Sequence, residues 1–324
     1  MKKVISLILS IVMIASMLAG CGASEAESDT LKVAIIQQLD HSSLDEIRTA
    51  IEAQLNALAT EKGIAIEISY DNGQNDTSVL TQISTQVVSD GVDMIIPIAT
   101  LAAQYAVTAA EGTDIPIVYA AISDPESAGL TGLPTVTGVS DALNTPFILD
   151  MMLSCQPDVK TVGLLYSNSE VNSATPIAQA KAYLDAKGIA YVEKTGTTSP
   201  EITEAAASLV GRVDAVFTPT DNAVMAAEAS VAETLNNAGI AHYTGADSFV
   251  LSGAFTTCGV NYTELGTKVA DMAFDILMGG KIGDFHVMDG GIITVNTDNA
   301  SALNIDYSVF STMANTVNEV ATAE

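Results

Sequence analysis

Val213-Asp214-Ala215-Val216-Phe217-Thr218-Pro219-Thr220-Asp221-Asn222 is an apolar run that ends in a polar turn. An earlier stretch, Val92-Asp93-Met94-Ile95-Ile96-Pro97-Ile98-Ala99-Thr100, has the same form. Upstream of each lies a second matched pair, Lys187-Gly188-Ile189-Ala190 and Lys62-Gly63-Ile64-Ala65, so the chain contains an internal repeat. In the first half, strands are expected at 32–36, 64–70, 93–98 and 115–122, with helices over 44–61, 77–89 and after Thr100. Ile47, Ile51, Leu55 and Leu58, three or four apart, give the first helix its apolar face. The series restarts at Lys160, with strands expected at 161–166, 189–193 and 214–218 and helices at 174–187, 202–210 and 223–237. Beyond these, 254–262 reads as extended, 265–278 as helix and 292–295 as a last strand. Strands that are apolar throughout and separated by helices imply a parallel sheet covered on both faces. The fold class is therefore α/β, with two Rossmann-like parallel-sheet lobes.

Composition agrees with two lobes. A chain of 324 residues exceeds what one core usually organises, and 48% hydrophobic residues exclude a disordered protein. Twelve basic residues against 39 acidic leave a formal charge of −27, which repels nucleic acid and anionic lipid as partners of the folded part. Lys2 and Lys3 followed by a weakly polar to apolar run to Gly20 mark residues 1–20 as an export signal. Leu18-Ala19-Gly20-Cys21 resembles the lipobox of bacterial lipoproteins, in which the cysteine becomes the lipidated N-terminus. Residues 21–30, small and acidic, read as a flexible tether. The expected location is outside the cytoplasm, lipid-anchored through Cys21 to the outer face of the bacterial cell membrane. Cys155 and Cys258 remain for the body. An oxidising exterior permits them to pair, but two separate buried thiols are the simpler reading.

In parallel α/β sheets, ligands bind beyond the carboxyl ends of the strands, and two such lobes facing each other make a cleft. Asp221 stands where a helix cap stands, and its carboxylate also suits a ligand ammonium. Thr100, its counterpart in the repeat, opens a helix with Leu101, whose free N–H groups suit a carboxylate. The loop after the strand that opens the second lobe offers Asn172 and Ser173 as donors. Gln37, Gln38 and Asp40 hold the matching place in the first lobe. Asp124 and Asp247 read as turn start and helix cap or as ligand groups; Tyr105 and Tyr119 read as an aromatic wall or as core. No cofactor is implied and no metal: the three His are far apart, no Cys pair has ligand spacing, and phosphate-cradling glycine loops are absent. Gly279-Gly280 and Gly290-Gly291 read as a helix stop and a turn. No nucleophile–base pair emerges, so no enzyme is expected.

Several segments carry a resemblance: Lys160-Thr161-Val162-Gly163-Leu164-Leu165-Tyr166 with Asn172-Ser173, Pro219-Thr220-Asp221-Asn222, and Gly259-Val260-Asn261-Tyr262-Thr263-Glu264-Leu265-Gly266. Asp124-Pro125 and Val136-Thr137-Gly138-Val139-Ser140 belong with them. The chain resembles the substrate-binding lipoproteins of bacterial ABC importers, and among them the tryptophan- and tyrosine-type binding proteins. The resemblance implies a type I periplasmic-binding fold, with a hinge of three crossings near 138–145, 254–262 and Gly291. One lobe would hold residues 31–141 plus 259–289, the other 142–258 plus 290–324. It also implies Asn172, Ser173, Asp221 and Asn222 on one jaw, with Thr100 and Asp124 on the other. Asn261 departs from the aspartate that many relatives are expected to carry. The expected function is capture of a small solute in the interlobe cleft by a monomer that delivers it to a permease and its ATPase. An amino acid is the first choice of ligand, and an aromatic one is favoured by the resemblance. A sugar or nucleoside binder of the same fold, or a ligand-sensing module for a receptor kinase, are the alternatives.

Overall fold

The computed structural model describes residues 30–323. The signal at 1–20, Cys21 and all of the expected tether but Thr30 lie outside the described residues. Thirteen strands run through this part: β1 (Leu31–Gln37), β2 (Ile66–Asn72), β3 (Met94–Ile98), β4 (Ile117–Ala120), β5 (Val136–Ser140), β6 (Thr161–Tyr166), β7 (Ala190–Thr195), β8 (Ala215–Thr218), β9 (Ala241–Thr244), β10 (Thr256–Gly259), β11 (His286–Val287), β12 (Ile292–Asn296) and β13 (Thr316–Val320). They form two sheets, ordered β11-β5-β4-β3-β1-β2 and β13-β12-β10-β9-β8-β6-β7. Within each, the consecutive strands follow the same 2-1-3-4-5 winding, which is the repeat seen in three dimensions. All pairs of the first sheet are parallel, and in the second only β10 with β12 is antiparallel.

The apolar runs form strands because helices cover both of their faces. Every residue of β3, β4, β8 and β9 is buried. The helix Ser42–Lys62 buries Ile47, Ile51, Leu55 and Ala59 and stops at Gly63, whose φ of +68° only glycine adopts without strain. Lys187-Gly188 ends the helix Ala174–Lys187 in the same way, with φ +69°. The chain passes between the sheets three times: after β5 into the helix Thr145–Cys155, after β10 into the helix Tyr262–Leu277, and between β11 and β12. The helix Tyr262–Leu277 packs on Ser42–Lys62 so closely that a Cβ on Gly266 would stand 2.5 Å from the Ile47 carbonyl oxygen.

Two segments differ from the sequence reading. Residues 223–237 are not one helix: Asn222–Met225 ends at Ala226, and a second helix, Glu228–Asn237, begins after Ala227. The break turns Glu228 inward, where its Oε1 lies 3.0 Å from His242 Nδ1. Residues 138–140, expected within the first crossing at 138–145, still belong to the fully buried strand Val136–Ser140. Cys155 and Cys258 are both free thiols.

Candidate functional site

The carboxyl ends of the strands in both lobes face one another across a cleft that hydrogen bonds already span. Gln38 Nε2 donates to Glu170 Oε1 at 2.8 Å, and Ser43 Oγ to Asp247 Oδ1 at 3.0 Å. His41 Nε2 lies 3.2 Å from Asn222 Oδ1 and Ser123 Oγ 2.9 Å from Thr220 Oγ1. At the rim, Thr175 Oγ1 donates to Asp124 Oδ2 at 2.6 Å. The jaws are closed on each other.

The two sides of the cleft are built differently. In the second lobe Asp221 is fully buried and caps its helix, with Oδ1 accepting from Val224 N at 2.9 Å. Its Oδ2 accepts from Ser167 N and from Ser173 Oγ, each at 2.7 Å. Both oxygens are thus engaged within one lobe. Glu170, 3% exposed, accepts from Gln38 on one oxygen and from Asn222 Nδ2, at 3.0 Å, on the other. Burial raises its pKa above the usual carboxylate range, and the negative charge of Asp221 raises it further. Burial raises Asp221 as well, against the pull of its donors. Among the described residues no Lys, Arg or His ion-pairs with either carboxylate.

In the first lobe the matching helix end is capped by a neutral group. The helix Thr100–Ala109 has no side-chain cap of its own; instead Leu101 N donates at 3.0 Å to Gln38 Oε1. Ala99 and Ala121, at the ends of β3 and β4, hold φ angles of +74° and +56°, in the region that disfavours any side chain. Both line the cleft cavity, and strained backbone of this kind concentrates at functional sites.

That cavity has an apolar side, formed by Leu44, Met225, Phe249 and Tyr262, and a polar side that includes His41, Thr100, Asn172, Asn222 and Ser248. Three polar atoms of its wall are buried without a partner: His41 Nδ1, Asn172 Oδ1 and Ser248 Oγ. The hydrogen-bond network fixes what two of them are. Asn222 already gives its amide N–H to Glu170, so its oxygen faces His41 Nε2, which must donate. Burial lowers the His41 pKa, and a neutral ring that donates from Nε2 leaves Nδ1 a bare acceptor. Asn172 gives its N–H to the Thr220 carbonyl at 2.7 Å, leaving Oδ1 an acceptor too. A buried acceptor left unmade costs about 1–3 kcal/mol, so the cavity favours a ligand that brings donors.

Of the residues singled out from sequence, Thr100, Asn172, Asp221 and Asn222 meet at this cavity. Ser173 stands one hydrogen bond behind it, on Asp221, while Gln38 reaches it through Glu170 and Asn222, and Leu101 through Gln38. Asp124 is at the rim, held ionised: burial pulls its pKa up, but the Ser127 N–H and the Thr175 and Ser127 hydroxyls outweigh it and the net shift is downward. Asp247 lies toward the hinge, in a separate pocket with Glu46 and Asn261. Tyr119 lines a different cavity of the first lobe with Leu130 and Phe285, away from the cleft. Sequence reading passed over Glu170, His41 and Ser43, and Ser123 is covered only as part of a candidate edge at 119–124. Glu170 lies in the loop that carries Asn172 and Ser173, and its significance comes from Gln38, which only folding brings near. A Thr218–His242–Glu228 chain, with His242 Nε2 2.8 Å from Thr218 Oγ1, has the residue types of a hydrolase triad, yet all three are fully buried in the core of the second lobe.

Two facing α/β lobes with a polar cleft between them define a ligand-binding clamp. The description ABC transporter substrate binding protein matches residues 32–316, and the chain belongs to that family. It is 33% identical over 322 residues to the tyrosine-binding protein of Clostridioides difficile strain R20291, covering 94% of this chain and 93% of that one. A crystal structure of an ABC domain in complex with L-Trp from Streptococcus pneumonia is similar with a TM-score of 0.83 at 28% identity, over 89% of this chain and 100% of that one. A ligand-free, open substrate-binding protein with adhesive properties from Clostridium difficile is 32% identical, over 90% of this chain and 100% of that one, yet has a TM-score of 0.68. The better fit to the complex than to the open form agrees with the bonds that span the cleft here. Substrate-binding proteins of ABC importers are extracytoplasmic and are not enzymes. Among the described residues no helix is long and apolar enough to cross a membrane.

Proposed function

We propose that this chain captures an amino acid with an aromatic side chain between its lobes and delivers it to an ABC permease, held at the membrane by acyl chains on Cys21. The observation that carries this reading is the pair of unpartnered acceptors, His41 Nδ1 from one jaw and Asn172 Oδ1 from the other, beside the buried Glu170–Asp221 pair. An ammonium brings three donors and a positive charge, and contacts to both jaws make the closed form the one it selects. Leu44, Met225, Phe249 and Tyr262 offer the apolar surface for a ring, which the cleft cavity, about 30 Å³ as closed here, admits only when the jaws part. The neutral helix end at Thr100 suits the ligand carboxylate. In this reading Gln38, Leu101, Ser173 and Asn222 orient the groups that touch the ligand, and Asp124 fastens the rim. The jaws are residues 31–141 with 259–289 and 142–258 with 290–324, turning about the three crossings.

Names of relatives support the side chain: one is a tyrosine-binding protein and another was solved with L-Trp. The test is thermal shift and calorimetry against all common amino acids together with a sugar and nucleoside panel. L-Tyr or L-Trp is expected to raise Tm, and His41→Ala or Asn172→Ala to weaken binding at least about tenfold, the worth of one lost hydrogen bond to a charge. Stabilisation by sugars alone would sink the proposal.

A further inference from the structure

Asp141 stands at the first crossing, and its side chain borders two cavities at once: the cleft, and one of about 660 Å³ behind the hinge. The hinge cavity is walled by all three crossings, through Leu143, Val260 and Gly290, so its shape is tied to the angle between the lobes. Asp141 is 6% exposed, and Ser123 Oγ donates to its Oδ1 at 2.9 Å. The same Ser123 oxygen meets Thr220 Oγ1 of the opposite lobe at 2.9 Å. The Thr220 carbonyl in turn holds the Asn172 amide whose free oxygen faces the cavity. An unbroken line of hydrogen bonds thus runs from the hinge, across the cleft, to the opposite wall.

We propose that Asp141 is a positioning residue for closure: through Ser123 it holds the Thr220 edge of the far jaw, and the closed form takes up a proton at this carboxylate. A hydroxyl has one proton to give. While Asp141 is ionised, Ser123 spends that proton on it and the cross-cleft bond depends on Thr220 donating; a protonated Asp141 frees Ser123 to donate instead. Burial supports the direction, holding the Asp141 pKa at about 6 against an ordinary 3.8. Opening parts Ser123 from Thr220 and wets the carboxylate. A group whose pKa is higher in the closed form favours closure below its ordinary pKa, and the advantage is lost as pH rises through 6.

Other groups titrate nearby. Tyr262, from the helix after the second crossing, stands near Asp141 and is kept neutral by burial, with Asp247 and Glu46 acting on it. His41 and Asp221 line the same cavity, and the charge of Asp221 acts on Glu170. Comparison of variants therefore isolates Asp141.

The inference rests on the proposed clamp, and its test separates the two. Affinity for L-Tyr and L-Trp is measured at pH 5 and pH 7.5 in the mature chain, in Asp141→Asn and in Ser123→Ala, with small-angle scattering of each without ligand. Between those pH values the ratio of Kd in the parent is expected to exceed that of Asp141→Asn about tenfold in the direction of tighter binding at pH 5. Ser123→Ala is expected to bind more weakly and to show a larger radius at both pH values. Equal Kd ratios in parent and Asp141→Asn overturn the proposal. Should Asp141→Asn fail to fold, Ser123→Ala and Thr220→Val decide, and unchanged affinity and radius in both overturn it. If neither amino acid binds, the functional reading fails, while scattering still decides the latch. A ligand-free radius that grows with pH more in the parent than in Asp141→Asn supports it, and identical curves refute it.

Discussion

The two lobes share their scaffold and differ at the cleft. Asp93 Oδ2 accepts from Lys32 N at 2.7 Å, and its own N–H returns a bond to the Lys32 carbonyl. Asp214 repeats the clip, accepting from Lys160 N and Thr161 N, each at 2.9 Å, while its N–H donates to the Thr161 carbonyl. Gly63 and Gly188 end equivalent helices with nearly equal φ. At the cleft the likeness stops. One helix is capped by its own buried carboxylate, Asp221, and the other borrows a neutral oxygen from Gln38. Where the repeat bears on folding the halves agree; at the cleft, one half caps its helix with a buried carboxylate and the other with a neutral amide oxygen.

The contrast breaks most visibly at the caps. Asp221→Ala leaves three buried donors without acceptors and is expected to cost about 3 kcal/mol of stability. Thr100→Ala, at the matching place in the first lobe, is expected to cost about 1 kcal/mol or less because Gln38 supplies the cap. Urea unfolding of the two variants side by side measures the difference, and equal losses would mean that the lobes are capped alike.

A smaller effect concerns pH. Glu170 has a folded pKa above its ordinary value, so its contribution to stability is complete below about pH 4.5 and is lost as pH rises through the shifted value. Tm of the parent is expected to fall between pH 6 and pH 8.5. Glu170→Gln should flatten that fall by roughly 2–4 °C, the equivalent of about 1 kcal/mol, while weakening ligand binding. A parent whose Tm does not fall over this range would show that the carboxylate pair is not held against its charge. The smallest effect sharpens the likeness instead: Asp214→Asn is expected to cost about 1 kcal/mol and Asp93→Asn somewhat less, since one clip holds two N–H groups and the other one. Chemical denaturation of both variants tests that order.

Much of the scaffold was legible because it obeys local rules. The helix Thr77–Ser89, the strand Thr161–Tyr166 and the helix Ala174–Lys187 begin and end where propensity and caps place them. Ala241–Thr244 and Thr316–Val320 gave too short or too polar a signal, and pairing with β8 and β12 makes them strands. The split at Ala226–Ala227 had no breaker residue to announce it, and the contact of Glu228 with His242 that accompanies it is not encoded in any local pattern. At the cleft, residues at strand ends such as Thr100 and Asp221 could be placed from topology alone. His41, Ser123 and Glu170 could not, because each acquires its partner from the opposite lobe and no pattern within a segment encodes that meeting.

The two alanines with positive φ at the floor of the first lobe have a practical consequence. Glycine at either place would relax the main chain, by an amount on the order of 1 kcal/mol. A laboratory selection for heat resistance would therefore be drawn to Ala99 and Ala121, both of which line the cleft cavity. If that cavity takes the ligand as proposed, variants chosen for toughness should emerge from such a screen with blurred recognition, because the relaxed main chain would be part of its wall.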